Sequence, residues 1–496
     1  MPELELVQRA RSFGARVALT SGGQDHSYES LLSVSEGIAA SLLDGSTDLG
    51  EERVAFFIPG SFEYAAVQWG IWRAGGIAVP LSLSSADPEL EHVITDARVD
   101  RIIAPEDALA KLRPLCDRLS VPLLSVDHVL SGESVPLPQL EGGRRAMILY
   151  TSGTTSKPKG VVSTHANIQA QITALVEAWG WQSEDSIPLY LPLHHVHGIV
   201  NVLCCGLWSG ARVDCFDSFD APAILERVAD KQYSVFMGVP TIYVKLIRIL
   251  EDADEEDRAR YKEGFAHMRL MVSGSAALPA SVHEQWTGLT GQKLLERYGM
   301  TEIGMAISNP LEGERRPGAV GEPLPGVIIR LVRESGESFE GEDEPGEIQV
   351  RGPAVFSEYW QKPDVTRESF VEGWFRTGDM AVLEDGYYRI MGRLSVDIIK
   401  SGGYKLSALE IEETLLMHPA ISECAVVGVP DDTWGEAVAV AIVPRDGEHI
   451  ELPALKEWAT SRMSKYKIPK SLLLLEDLPR NAMGKVTKPA IQDLFD

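Results

Sequence analysis

From Arg53 onward the chain repeats one pattern: a short apolar run, a polar turn, a stretch at helical spacing, then another apolar run. Val54-Ala-Phe-Phe-Ile-Pro59 predicts a strand, Glu63 to Ala74 a helix, and Gly75-Gly-Ile-Ala-Val-Pro80 a second strand. Further apolar runs follow at Arg101 to Ala104 and Pro122 to Val126. After Tyr150 the alternation continues, with helices expected over Asn167 to Trp179, Ile199 to Trp208, Ala223 to Asp230 and Thr241 to Glu251. Strands are expected at Ile187 to Leu193, Val213 to Phe216, Ser234 to Val239, Arg269 to Val272 and Lys293 to Glu296. Strands that read as continuous apolar runs are buried on both faces, which requires parallel sheets covered by helices. The fold class is therefore α/β.

Beyond Gly318 the texture changes to Gly- and Pro-punctuated β segments, with Glu384-Asp-Gly-Tyr387 a hairpin turn. A β-rich subdomain is expected there. A small α+β unit follows, with a helix from Ser407 to Met417, strands at Cys424 to Val429 and Ala437 to Val443, and a helix at Leu452 to Arg462. A linker near Leu394 to Asp397 divides the chain into an N-terminal domain, 1–394, and a smaller C-terminal domain, 395–496.

The net charge of −26, from 46 basic and 72 acidic residues, argues against wholesale binding of nucleic acid or an anionic membrane. Any anionic ligand must meet local positive charge. Acidic runs at Glu251 to Asp257 and Glu334 to Glu347 read as solvated surface. The 5 cysteines show no metal spacing and fit reduced core thiols. The N-terminal residues lack the basic and apolar regions of a signal peptide, and no apolar run approaches the ~18 residues of a membrane span, so a cytoplasmic protein is expected.

Open α/β sheets bind ligands at the carboxyl ends of their strands, where the connecting turns gather. Those turns are Thr151 to Gly160, His194-His-Val-His-Gly198, Ser273-Gly-Ser-Ala-Ala277 and Tyr298-Gly-Met-Thr-Glu302. The first, Thr151-Ser152-Gly153-Thr154-Thr155-Ser156-Lys157-Pro158-Lys159-Gly160, combines hydroxyls, a small flexible residue and two lysines, as a polyphosphate loop requires. An ordinary polar turn has the same composition. It is not a Walker A loop, because Pro158 stands where that pattern needs Gly. The three histidines at 194, 195 and 197 invite a metal reading, but no further ligand cluster accompanies them.

That loop, Tyr298 to Glu302, Arg376-Thr-Gly-Asp379, Gly392-Arg393 and Pro479-Arg-Asn-Ala-Met-Gly-Lys485, in this order, resemble the acyl-adenylate-forming superfamily of acyl-CoA synthetases, luciferases and peptide-synthetase adenylation domains. The resemblance spans Val54 to Lys488 and implies a large domain, a small mobile domain, and two half-reactions with ATP, Mg²⁺ and coenzyme A. It implies ATP contacts from Thr151, Ser152, Gly153, Thr154, Thr155, Lys159, Ser275, Ala276, Glu296, Tyr298, Gly299, Met300, Thr301, Asp379 and Arg393. It further implies catalytic roles for Lys485, which would contact the acyl carboxylate and the α-phosphate, for His195, which gates that carboxylate, and for Thr301 and Glu302, the latter holding Mg²⁺. Asp397 would be the hinge, and Lys400, Ser401, Gly402 and Gly403 would face the site when the thiol attacks. Ser156 departs from the Gly common in the family, and the spacing from Arg393 to Asp397 is one residue longer than in several relatives.

The segment from Glu296 to Gly326 is similar to malonyl-CoA and methylmalonyl-CoA synthetases. Arg297 occupies a position that lines the acyl pocket in that family, where a guanidinium offers a fork to a second carboxylate. A salt bridge to Glu296 is the competing role for it. His197, Ser275 and Met305 are secondary pocket residues. The expected reaction is ATP-dependent ligation of malonate, or methylmalonate, to coenzyme A. Another short acid, a carrier protein as acceptor, or a non-catalytic nucleotide sensor remain the alternatives, and no obligatory protein partner is indicated.

Overall fold

The computed structural model describes residues 4–133, 135–151, 158–402, 404–431, 434–480 and 486–495. The predicted alternation forms the centre of a seven-stranded sheet. Its strands Arg145–Thr151, Ile77–Pro80, Arg53–Phe56, Arg101–Ala104 and Leu123–Ser125 run parallel in that spatial order. Lys159–Thr164 and Glu358–Tyr359 extend it antiparallel. The helix Phe62–Arg73 is buried all round, matching its lack of a polar face, and Ser61 caps its start by accepting from the Tyr64 N–H.

In a second sheet Val235–Gly238, Leu270–Ser273 and Leu295–Met300 are parallel, and Gly304–Ser308 returns antiparallel to the last of them. A third sheet holds Gln24–Ser27, Val17–Ser21, Arg212–Cys215 and Ser186–Leu189. The β-rich region is an antiparallel sheet that includes Ile328–Val332, Gly346–Arg351, Trp374–Glu384 and Tyr387–Arg393, the last two joined through the predicted turn at Asp385-Gly386. From Ile398 the chain builds another sheet around Ile421–Asp431 and Gly435–Pro444, with its own apolar core between sheet and helices Ala408–Leu416 and Leu452–Thr460. The mixed α/β architecture is as the sequence predicts.

Several expectations are corrected. The strand expected over Ile187 to Leu193 ends at Leu189, because its neighbour ends at Cys215, the partner of Leu189. The helix expected over Ile199 to Trp208 is a π-helix, His197–Cys204, followed by a short α-helix, Cys205–Ser209. Tyr298 to Met300 lie on a strand rather than in a turn, since Gly304–Ser308 pairs back against them and confines the turn to 301–303. Glu347, read as solvated, is buried and accepts from Gln349 Nε2 at 3.4 Å and Arg376 Nε at 3.3 Å. All 5 cysteines are unpaired, and Cys215 alone among them is half-buried. Among the described residues no helix is long and apolar enough to cross a membrane.

Candidate active site

One strand, Leu295–Met300, feeds two clusters. Successive side chains on a strand point to opposite faces, so Arg297 and Tyr298 enter different surroundings.

Arg297 is 3% exposed, and its Nη2 reaches Ser275 Oγ at 3.4 Å. Ser275 Oγ also meets Nδ1 of His197, the first residue of the π-helix, at 3.1 Å. Gly274 leaves room for the guanidinium, since a Cβ at that position would stand 2.4 Å from its carbon and displace it. Among the described residues no carboxylate lies within ion-pairing distance of Arg297, and its Nε and His197 Nε2 are buried without partners. Burial pushes the guanidinium pKa down to about 10, against the pull of Glu296. Burial and the nearby Arg297 and His195 charges keep His197 neutral, well below the usual histidine range. Arg297 forms no salt bridge with Glu296. Glu296 faces the other way, accepts the Leu278 N–H at 2.9 Å, and is raised by burial to about 8.

Tyr298 leads to the second cluster. Its hydroxyl donates to Asp379 Oδ2 at 2.7 Å, while Arg393 Nε donates to Asp379 Oδ1 at 3.0 Å. Asp379 and Arg393 face each other because their strands pair at that register. A carboxylate has about four acceptor sites, so two bonds leave Asp379 able to accept more. Burial works against the Arg393 charge, but Asp379, with Tyr298 and Glu302, leaves the guanidinium above its ordinary pKa. Glu302, 5% exposed, accepts from Tyr359 Oη at 2.9 Å, and the Lys159 ammonium lies 4.6 Å above the Tyr359 ring. Burial raises the Glu302 carboxyl pKa, with Tyr359, Arg393 and Lys159 opposing.

Thr151 and Lys159 pair across two antiparallel strands; residues 152–157 lie outside the described residues, as do Gly403 and Lys485. Gly299, Met300 and Thr301 are half-buried beside the Glu302 cluster, whereas Ser275 and Ala276 lie on an exposed loop. Met305 is 2% exposed and packs beneath Gly299. The ring of His195 lies 4.1 Å from that of His194, which burial holds down to about 4. Among the described residues no three metal-ligating side chains converge. Lys400, Ser401 and Gly402 join neither cluster: Lys400 pairs with Glu334 at 3.1 Å, Ser401 is buried and Gly402 abuts Trp434.

Tyr359 was not anticipated. It reaches Glu302 only because Glu358–Tyr359 pairs with Val161 and Val162, and nothing local in its sequence signals that pairing. Glu412 and Lys488 were also missed: they hold Asp397 from the C-terminal side, with Lys488 Nζ 2.6 Å from Asp397 Oδ1 and 2.8 Å from Glu412 Oε1.

The AMP-binding enzyme model matches residues 6–360, and the AMP-binding enzyme C-terminal domain matches 410–485. The chain belongs to the AMP-binding enzyme family. Within that family it is 46% identical to mouse malonate–CoA ligase ACSF3, mitochondrial, over 97% of this chain and 88% of that one. ATP-bound MatB from Rhodopseudomonas palustris superposes with a TM-score of 0.90 at 31% identity, covering 100% of this chain and 99% of that one. A malonyl-CoA ligase complex with methylmalonyl-CoA and AMP is more similar in sequence, 37%, yet superposes at 0.71, covering 96% and 100%. The mouse relative's name places that protein in mitochondria, which does not support the cytoplasmic expectation drawn from the sequence.

Proposed function

We propose that this AMP-binding family enzyme joins malonate to coenzyme A at the expense of ATP, through a malonyl-adenylate. The single observation that carries the choice of acid is Arg297, a buried guanidinium with no acidic partner among the described residues. A second carboxylate on the substrate supplies that partner; a monocarboxylic acid leaves the cation uncompensated, which is disfavoured by several kcal/mol. Ser275, itself in contact with His197, hydrogen-bonds the guanidinium, and these two side chains are proposed to line the acyl site beside it.

In the first half-reaction a carboxylate oxygen of malonate attacks the α-phosphorus, the bond to the β-phosphate oxygen breaks, and pyrophosphate leaves. Two anions must be aligned, so positioning and neutralisation dominate. Asp379 would accept from the ribose hydroxyls, with Tyr298 and Arg393 fixing its orientation. Lys159 and the loop at 152–157 would hold the β- and γ-phosphates, and Lys485 would meet the α-phosphate and the attacking carboxylate. The single carboxylate of Glu302, oriented by Tyr359, fits a Mg²⁺ brought in on ATP phosphates, where the ion would neutralise their charge. In the second half-reaction the CoA sulfur attacks the acyl carbon, the C–O bond to AMP breaks, and the thiol proton passes to solvent or base.

We assign the adenylation arrangement to this structure: the closer superposition on the ATP-bound relative than on the more identical CoA and AMP complex supports it. Residues 1–394 and 395–496 are proposed as the two moving bodies, hinged at Asp397. The test is ATP–pyrophosphate exchange across short acids. Exchange with malonate and not with acetate is expected, followed by malonyl transfer to free CoA; equal exchange with acetate overturns the diacid assignment.

A further inference from the structure

Asp397 has one carboxylate oxygen on each side of the backbone bonds that would turn. Oδ2 accepts the backbone N–H of Arg393 at 2.9 Å, upstream. Oδ1 meets Lys488 Nζ at 2.6 Å, downstream. Lys488 is in turn 2.8 Å from Glu412 Oε1, which also accepts the Val426 N–H at 2.7 Å. Glu412 stands on the helix Ala408–Leu416 and Val426 on the strand Ile421–Asp431, so the post that Lys488 stands on belongs to the C-terminal sheet and its helix. The three side chains are between 10% and 15% exposed. Gly392, at φ 120°, lets the chain pass close by: a Cβ there would lie 2.4 Å from Asp397 Cβ.

The backbone has two soft dihedrals per residue. Turning φ of residue 397 carries its side chain away with everything downstream and breaks the bond to Arg393 N. Turning ψ leaves the side chain with the upstream chain and carries Lys488 away. No rotation at this residue keeps both bonds. We propose that Asp397 and Lys488 form a latch that holds the adenylation arrangement, and that Lys488 is a positioning residue controlling how readily the enzyme passes from adenylation to thioester formation. The latch is compensated in charge on the downstream side, because Glu412 keeps Lys488 paired when Asp397 departs. Release therefore does not strand a buried cation, and the switch is reversible. This inference rests on the assignment of Asp397 as hinge and of this arrangement to adenylation.

The two half-reactions separate the latch from a merely structural role. Wild-type protein, Lys488→Met, Lys488→Arg and Asp397→Asn are assayed for malonate-dependent ATP–pyrophosphate exchange and, separately, for malonyl-CoA formation from supplied malonyl-adenylate and CoA. Asp397→Asn guards against a misfolded Lys488→Met, since it leaves the Lys488–Glu412 pair intact. Exchange is expected to fall about 10-fold or more in Lys488→Met and Asp397→Asn, while thioester formation from the adenylate stays within about 2-fold of wild type or rises. Lys488→Arg is expected to recover most of the exchange. Parallel loss of both half-reactions, or loss of neither, overturns the latch. Failure of wild-type exchange with malonate overturns the proposed function instead, and the two failures are read in different lanes of the same experiment.

Discussion

Arg297 and Lys488 are both buried cations, and their surroundings are opposite. Lys488 lies between two carboxylates at 2.6 and 2.8 Å, and those charges outweigh burial and raise its pKa. Arg297 has a serine hydroxyl at 3.4 Å, and burial lowers its pKa. A buried cation is retained only if something compensates it. Lys488 is compensated within the chain, where its ammonium ties Asp397 to Glu412. Arg297 has no such compensation among the described residues, which is why recognition of an acid is the role proposed for it. The same physical demand, satisfied from inside or from outside, separates a tie from a receptor.

Arg297→Ala gives the sharpest break. Removing one partner of a buried charge pair costs about 3–5 kcal/mol, so kcat/KM for malonate should fall by at least ~100-fold while KM for ATP changes little. Arg297→Lys should restore only a small part, because an ammonium cannot present the planar fork. Steady-state kinetics with malonate varied at saturating ATP, then the reverse, reads both; an equal loss in both substrates would place Arg297 among structural residues.

Stability should divide the pair the other way. Lys488→Met strands Glu412 and Asp397 and should lower unfolding free energy by about 3 kcal/mol, whereas Arg297→Met removes an uncompensated charge and should leave stability unchanged or improved. Thermal melts of the two variants check this, and a larger loss in Arg297→Met would erase the distinction.

A smaller effect is expected at Tyr359→Phe, which takes away the hydroxyl that Glu302 accepts. A hydrogen bond to a charged group contributes about 1.5–3 kcal/mol, and the loss should appear as a roughly 10-fold rise in the Mg²⁺ concentration for half-maximal exchange, with KM for malonate unmoved. A change confined to malonate would detach Tyr359 from the nucleotide side.

The smallest effect concerns pH and Glu296, the acid beside Arg297 in sequence that does not pair with it. Its folded pKa, about 8, stands above the ordinary 4.5 because the carboxyl is buried. The native state therefore keeps this proton after the unfolded chain has lost it, and stability falls as pH rises between those values. Glu296→Gln should flatten that slope and melt a few degrees higher than wild type at pH 8.5. A slope of the opposite sign in wild type that Glu296→Gln abolishes would show a depressed pKa instead.

Much of this was legible in sequence where a signal was local. The βαβ alternation is written in runs such as Arg53–Phe56 and Ile77–Pro80, whose burial on both faces demands consecutive apolar residues. Asp379 and Arg393 stood out through motif spacing, and the hairpin between their strands brings them into contact. What stayed hidden depends on partners far along the chain. Glu347 looked solvated because its run is acidic, but Arg376 and Gln349 cover it across a sheet. Tyr359 acquires its place from a strand pairing that spans nearly 200 residues. The π-helix differs from an α-helix by one residue per hydrogen-bonded ring, a shift too small for apolar periodicity to register. Whether Arg297 is paired was undecidable from Glu296-Arg297 as text, because strand alternation, not adjacency, decides which neighbours meet.

That alternation on Leu295–Met300 carries an evolutionary consequence. Arg297, proposed to meet the acid, and Tyr298, which donates to Asp379, sit one residue apart yet have different hydrogen-bond partners. On the proposed roles, substitution at 297 would redirect the enzyme toward a different acid without retuning its grip on the nucleotide, leaving the specificity of such a ligase free to drift while its energy source stays fixed.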